Sequence, residues 1–385
     1  MVMGPGRGRH QAMRRAIHRR TQRLATTVLL LVPSALAAQN GAPAAAPPDT
    51  ATRVAFGAFV DSYYAFDVNR PRDLDRAFTT QPARHNEFNV NLAFVEATVT
   101  GPRVRGRLAL QAGTSVQANY AGEPTTGAVS GPTLSRHLQE AVAGYEVAPG
   151  VWVDAGVFFA NVGMESWISR DNPTYTRSLV ADYSPYYSAG VKATWQATPR
   201  LAVRLDAVNG WQNVSETNAA KSVGTRVDYA AGATTVSYYN YVGGEGAGRL
   251  RVFNGVGVKA APTPRLQLLG QVDVGRESRG GAGGTSTWYG GVLVARVQAA
   301  RSAALAARVE RFDDPDQVVV ATGEGVPSFR ATGASLGLDV TPTGRLAWRT
   351  EVRGFRAREA VFPSRSPSAR SARGGVVVSS LAVMF

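Results

Sequence analysis

The sequence predicts an all-β protein, an antiparallel transmembrane β-barrel of about sixteen strands. Three short turns, at 197–201, 261–266 and 340–346, are near copies that each contain proline and end in Arg-Leu. Proline cannot donate to a sheet ladder, so each turn ends one strand and begins the next. Alternating apolar and polar residues flank these turns, and longer polar, Gly-rich loops separate them. A repeat of short turn, strand, long loop and strand is typical of a transmembrane barrel.

The first 38 residues are predicted to be a secretory signal peptide, which is cleaved off and is not part of the folded domain. They contain a basic region that ends at Arg23, a mostly apolar stretch over 24–36 and small residues that suit cleavage. A single membrane anchor is the alternative, but a spanning helix usually needs about 20 apolar residues. Either Met1 or Met13 is compatible with the start. Residues 39–51, rich in Ala and Pro, are predicted to be a periplasmic lead-in, and 52–385 to be the barrel.

The net charge of the chain is +14, which by itself suggests nucleic acid as a partner. Seven arginines and no acidic residues fall within 1–38, so the mature chain carries +7. The remaining arginines are scattered through strands and turns instead of forming one patch. Nucleic acid is therefore not predicted to be a partner. The absence of cysteine is compatible with export without disulfide bonds.

The strand boundaries follow from the alternation and from the turn signals, with fourteen and eighteen strands as the alternatives. The sixteen predicted strands are 52–66, 88–100, 104–117, 137–148, 151–162, 185–197, 201–213, 222–231, 233–243, 250–261, 265–277, 287–300, 303–313, 330–340, 345–357 and 374–385.

Several predicted strands are apolar on one face and charged on the other, because successive side chains point to opposite faces. In one of them Leu346, Trp348 and Val352 share a face, and Arg349 and Arg353 share the opposite face. Alternation alone does not distinguish a barrel from a soluble β-sandwich, in which the apolar face points inward. The signal peptide, the strand lengths and the alternation of short and long connections favour the barrel, with its apolar face outward.

Five segments carry a family resemblance: 57–64, 85–91, 163–167, 175–178 and 209–213. Through them the chain resembles the OmpL-like family of outer-membrane β-barrel porins, over roughly 55–385. The resemblance implies a porin-like barrel in the bacterial outer membrane and names no solute.

The last predicted strand ends in Phe385. A terminal aromatic residue on an amphipathic strand resembles the assembly signal of bacterial outer-membrane proteins. This resemblance implies the barrel-assembly machinery as a partner.

No enzymatic activity, metal or cofactor is predicted. The segment 333–337 matches the G-x-S-x-G pattern, but a nucleophile elbow needs a strand-to-helix turn and a histidine later in the chain. The mature chain has only His85 and His137, both upstream. His85 has no partner at a metal-ligand spacing, and the acidic run over 313–316 lacks the spacing of an EF-hand loop.

Sixteen strands enclose enough space for water, so charges on the polar faces are predicted to line a wet lumen. The alternative is that most of them pair across strands and only keep the lumen hydrated. The predicted lumen-lining residues are Arg105, Arg107, Arg204, Asp206, Arg349, Glu351 and Arg353.

The connection over 163–184 is the third external loop, which in general porins commonly folds into the barrel. In that position its charges would face Arg105 and Arg107 across a narrow gap, where few residues set ion preference. A packed surface loop is the alternative. The predicted pore constriction consists of Glu165, Arg170, Asp171 and Arg177.

The resulting functional hypothesis is a porin-like outer-membrane channel for passive diffusion of small hydrophilic solutes, with a weak preference for anions. The alternative is a non-conducting outer-membrane barrel with a structural, loop-display or adhesion role. Outer-membrane lipid and small hydrophilic solutes are the expected partners, and a homo-oligomer is compatible with the sequence.

Overall fold

A computed structural model describes residues 51–246, 248–366 and 369–385. The predicted signal peptide, and all of the predicted lead-in before residue 51, lie outside the described residues. No helix within the described ranges is long and apolar enough to span a membrane. The described chain forms a closed antiparallel barrel of sixteen strands, which confirms the predicted fold class and strand number.

Eighteen strands, three short α-helices and two 3-10 helices, Ser169–Asp171 and Gly280–Ala282, make up the described secondary structure. The α-helices are α1 (Thr114–Tyr120), α2 (Pro132–Ser135) and α3 (Leu179–Asp182). The two-residue strands β16 (Phe362–Pro363) and β17 (Arg370–Ser371) pair with each other outside the barrel. The barrel strands are β1 (Arg53–Asp67), β2 (Phe88–Thr100), β3 (Val104–Ala112), β4 (Leu138–Ala148), β5 (Val151–Phe159), β6 (Tyr187–Thr198), β7 (Leu201–Val208), β8 (Ser222–Ala231), β9 (Thr234–Gly244), β10 (Leu250–Thr263), β11 (Leu266–Ser278), β12 (Thr285–Ala300), β13 (Ala303–Asp314), β14 (Phe329–Thr343), β15 (Leu346–Ala357) and β18 (Arg373–Met384).

Each barrel strand pairs with its neighbours along the chain, and β1 closes the ring by pairing with β18. In that closing pair Tyr63 lies opposite Ser380. Phe385 follows β18, and its backbone N–H donates to Ala58 O at 2.9 Å, so the chain terminus is held against β1. Its role as an assembly signal stays a prediction.

The apolar face of the barrel points outward. Val272, Leu293 and Leu336 are 67%, 64% and 69% exposed, although all three lie in the middle of strands. Charged residues that alternate with such apolar residues, such as Asp273 beside Val272 and Arg308 beside Val309, are buried inside the barrel. A soluble β-sandwich would bury the apolar face instead, so these exposures fit a barrel surrounded by lipid.

A threonine organises each of the three near-identical turns. Thr198 Oγ1 accepts hydrogen bonds from the backbone N–H groups two and three residues later, at 3.2 and 3.0 Å. Thr263 and Thr343 make the same two bonds, at 3.1 to 3.3 Å. The side-chain hydroxyl thus satisfies backbone donors that the turn removes from the ladder. These turns lie at one end of the barrel, which we name the short-turn end; the opposite end is the long-loop end.

Three strands stop short of their predicted ends at the long-loop end. They were expected to reach 117, 162 and 213, but β3, β5 and β7 end at Ala112, Phe159 and Val208. After β3 the chain bends at Gly113, whose φ of 138° favours glycine, and continues as α1. A Cβ at Gly113 would lie 2.4 Å from Asn91 O. These segments leave the sheet because they turn into the barrel, where their apolar residues find partners.

The lumen and its inserted loop

The long connection between β5 and β6 lies inside the barrel. Its aromatic residues Trp167 and Tyr175 are 3% and 2% exposed. Trp167 packs with Phe59 and Phe94, which point inward from β1 and β2, and with Tyr120 of α1. We name residues 160–186 the inserted loop.

Buried charges of β13 and β15 hold the middle of the inserted loop against the barrel wall. The backbone N–H and the hydroxyl of Thr176 both donate to the Glu351 carboxylate at 2.8 Å. Arg308 donates to Glu351 Oε1 at 2.9 Å and to Thr176 Oγ1 at 2.7 Å. Arg353 in turn pairs with Glu310 at 2.7 Å. The side chains of all four charged residues are no more than 1% exposed, so the charges neutralise one another away from water.

The tip of the inserted loop reaches the short-turn end of the barrel. Arg349 of β15 donates to Ser169 O at 2.5 Å and to Asn172 O at 3.1 Å. Arg170 donates to the carbonyl of Gly344, which lies in the turn between β14 and β15. The loop enters from the long-loop end and ends beside a short turn, so it follows the lumen for most of its length.

Glycines on the inner wall make room for the inserted loop. A Cβ at Gly257 would lie 2.2 Å from Met164 Cγ. A Cβ at Gly290 would lie 2.6 Å from Val180 Cγ1. The wall therefore lacks side chains where apolar residues of the loop press against it.

Two of the four residues predicted for the constriction stabilise the loop itself. Glu165 accepts from the Ser178 backbone N–H at 3.2 Å and from its hydroxyl. Arg177 donates to Ala181 O at 2.9 Å, and its guanidinium lies 3.7 Å from the centre of the Tyr186 ring. Both are buried, so neither projects across an open gap. By contrast, Arg170 is half-buried and Asp171 exposed at the tip of the loop.

Arg105 and Arg107, which the loop charges were predicted to face across a narrow gap, pair with acids of the barrel wall. Arg105 donates to Asp154 at 2.6 Å, and Arg107 donates to Glu96 at 2.6 Å and also pairs with Glu140. Residues of the wall therefore satisfy both guanidinium groups. Glu96 and Glu140 lie on the two strands that flank Arg107, and Asp154 lies two strands from Arg105, in register with it through Gly144.

The other residues predicted to line the lumen lie on inward faces of their strands. Arg204 pairs with Asp206 at 2.7 Å, so these two charges satisfy each other within one strand. Arg349, Glu351 and Arg353 form the anchors of the inserted loop. A function of these seven residues in conduction stays a prediction.

Thr176, Ser169 and Asp61 also hold the loop, although none of them was predicted from the sequence as a site residue. Asp61 accepts from Ser169 Oγ at 2.7 Å and from Tyr175 OH at 3.3 Å, which gives the loop a contact on β1. An isolated acid at an inward position of β1 was the available signal. Its partners on the loop gave no signal in the sequence, since Ser and Thr are common in any polar connection.

His85 belongs to the long loop between β1 and β2, where a backbone hydrogen bond holds its imidazole. Its Nδ1 accepts from the Asp67 backbone N–H at 2.9 Å. Burial lowers the pKa of the imidazole, which favours the neutral ring that this contact needs. Within the described ranges no three His, Cys, Asp or Glu residues cluster as metal ligands would.

The profile of the family described as "Putative beta-barrel porin-2, OmpL-like" matches residues 53–385. The chain belongs to this family. Family and fold together make it a porin-like barrel of the outer membrane. No curated protein matches the chain.

Solved porins share the fold of this OmpL-like porin. An anion-selective porin from Comamonas acidovorans has a TM-score of 0.59 at 10% identity, over 87% of this chain and 100% of that one. OprB of Pseudomonas putida has a TM-score of 0.57 at 11% identity, over 86% of this chain and 94% of that one. The channel DcaP of Acinetobacter baumannii has a TM-score of 0.56 at 10% identity, over 88% of this chain and 98% of that one. At these identities the likeness shows the fold alone.

Proposed function

We propose that the chain forms a channel for passive diffusion of small hydrophilic solutes across the outer membrane, with a weak preference for anions. The observation that carries this proposal is the inserted loop, which is anchored by buried charges inside a closed barrel. A barrel with a purely structural role has little need of a charged lumen. The proposal assigns no enzymatic activity to the chain.

The exposed parts of the wall charges support the anion preference. Arg105 is 35% exposed in its side chain, whereas its partner Asp154 is 3% exposed. Arg204 and Asp206 show the same asymmetry, at 18% and 3%. At these two pairs water in the lumen meets guanidinium groups more than carboxylates, whereas Glu96 and Asp228 are more exposed than their partners Arg107 and Arg226. In a confined channel such an imbalance favours entry of anions.

Packing inside the barrel indicates a narrow passage. Apolar residues of the inserted loop, such as Leu179 and Val180, belong to one buried cluster with Phe312 and Phe329 of the wall. We therefore propose that only small solutes pass while the loop is in place. The same packing favours the second candidate, a non-conducting barrel that displays its long loops.

Single-channel recording of refolded protein in a planar bilayer tests this proposal. We expect small conductance steps and, in a KCl gradient, a reversal potential that indicates weak anion preference. Shortening 165–177 should enlarge the conductance, because the loop occupies the lumen. Absence of conductance in both forms would refute the channel and leave the loop-display role.

The proposal includes export: residues 1–38 act as the signal peptide, and residues 39–51 form the periplasmic lead-in. The barrel-assembly machinery then inserts the exported chain into the outer membrane. A homo-oligomer is also part of the proposal, because one similar solved structure, OmpT of Vibrio cholerae, is described as a trimer form. Chemical cross-linking in native outer membranes tests the oligomer. A single monomer band at all cross-linker concentrations would refute it.

A further inference from the structure

A cavity of about 500 Å³ lies at the short-turn end of the lumen. One side is the tip of the inserted loop, residues 170–173. The other side is formed by residues near the short-turn ends of β9 to β12, β14 and β15. Its volume falls within the range of small-molecule sites, roughly 300–1,000 Å³.

Cationic side chains outnumber acids around this cavity by four to two. One of the acids is already neutralised, since Asp339 accepts from Arg349 at 2.9 Å and from Arg296 at 3.3 Å. The other acid, Asp171, is exposed and receives only a 3.4 Å hydrogen bond from Ser166. The lining thus keeps a positive surplus after the internal pairs are formed.

Lys259 makes no hydrogen bond or ion pair among the described residues, although Glu165, Asp171 and Asp228 attract it at longer range. Its side chain is exposed within the cavity lining, and no described carboxylate oxygen lies within 4.0 Å of its Nζ. Arg170, on the loop tip, lines the same cavity and donates one N–H to the Gly344 carbonyl. A guanidinium has five N–H donors in a planar fork, so Arg170 keeps donors for a further partner.

We propose that this cavity binds a small organic anion through a carboxylate or phosphate group held by Lys259 and Arg170. Both groups are oxyanions that a guanidinium fork and an ammonium bind well. Arg296 adds positive charge, while Leu269 and Pro173 offer apolar contact to the carbon part of the ligand. The inference deepens the proposed function, on which it rests only for the route by which the anion arrives.

Binding is measured directly on detergent-folded protein by isothermal titration calorimetry, with succinate and inorganic phosphate as probes. Choline chloride serves as the cationic control. We expect saturable binding of at least one oxyanion probe and none of choline. Binding of succinate or of phosphate alone supports the site and identifies which group it prefers.

The variant Lys259→Met removes the charge and keeps most of the stem. We expect it to weaken binding about 10- to 100-fold, the loss typical of one charge-assisted hydrogen bond. The matched control is Lys192→Met, because Lys192 also lies on the inner wall, over the Phe158 ring, outside this cavity. Arg170→Gln provides a second test should Lys259→Met fail to fold, as judged by mobility of unheated protein on gels.

Equal weakening by both lysine variants, or no oxyanion binding by the unaltered protein, would overturn the site. The failure of the site is distinguishable from the failure of the channel. Conductance without binding removes the site and keeps the channel. Binding without conductance supports the site and indicates a barrel that does not conduct.

Discussion

Replacement of Glu351 by Gln should release the inserted loop. Glu351 is the carboxylate that accepts both Thr176 donors and pairs with Arg308, and its side chain is 1% exposed. Glutamine keeps the size of the side chain but removes the charge. Arg308 then retains only the ion pair with Glu310, at 3.3 Å.

The size of the effect follows from burial. Breaking a buried ion pair by removing one partner costs about 3–5 kcal/mol, because the remaining charge stays desolvated. This penalty applies while the loop covers Arg308, and it is relieved when the loop moves away and water enters. At 1.4 kcal/mol for each factor of ten, ~3 kcal/mol raises the population of loop-displaced barrels about 100-fold.

Single-channel recording measures this population as the fraction of time spent in a large-conductance state. The matched control is Asp316→Asn, because Asp316 pairs with Arg279 at 2.8 Å between exposed side chains. Such a surface pair contributes little, so the control should resemble the unaltered protein. A folded Glu351→Gln variant with the same large-state fraction as the control would refute the anchoring role of the buried network.

Three further predictions concern the wall and the topology. Replacing Arg105 and Arg107 together by Ser should abolish the anion preference, since Asp154, Glu96 and Glu140 then lose their partners; an unchanged reversal potential would place selectivity elsewhere. Gly257→Ala should lower the unfolding temperature or enlarge the conductance, because its Cβ meets Met164 at 2.2 Å, whereas Gly354→Ala, with nothing within 4 Å, should change neither. In this cysteine-free chain, a cysteine at Gly281 should react with an impermeant reagent from outside the cell and one at Pro199 should not, and the reverse labelling would invert the topology.

The sixteen strands and their outward apolar faces were predictable from the sequence. Each depends on local chemistry: the turns that contain proline and threonine separate the strands, and alternation with a period of two residues assigns the faces. The strands β3, β5 and β7 were predicted too long for the same reason. Local alternation continues past Gly113, and only contacts with residues far along the chain draw the following segment inward.

The partners of the lumen charges were decided by the tertiary structure. The pairing of Arg105 with Asp154 depends on three adjacent strands and their register, and that of Arg308 with Thr176 depends on where a long loop docks. Neither pairing can be predicted from the alternation of apolar and polar residues, because alternation shows which face a side chain occupies and not which residue it contacts. The sequence by itself determined a closed barrel with charges inside. The structure alone decided that those charges hold a loop in the lumen, because ion pairs form between atoms that only the closed barrel brings within reach.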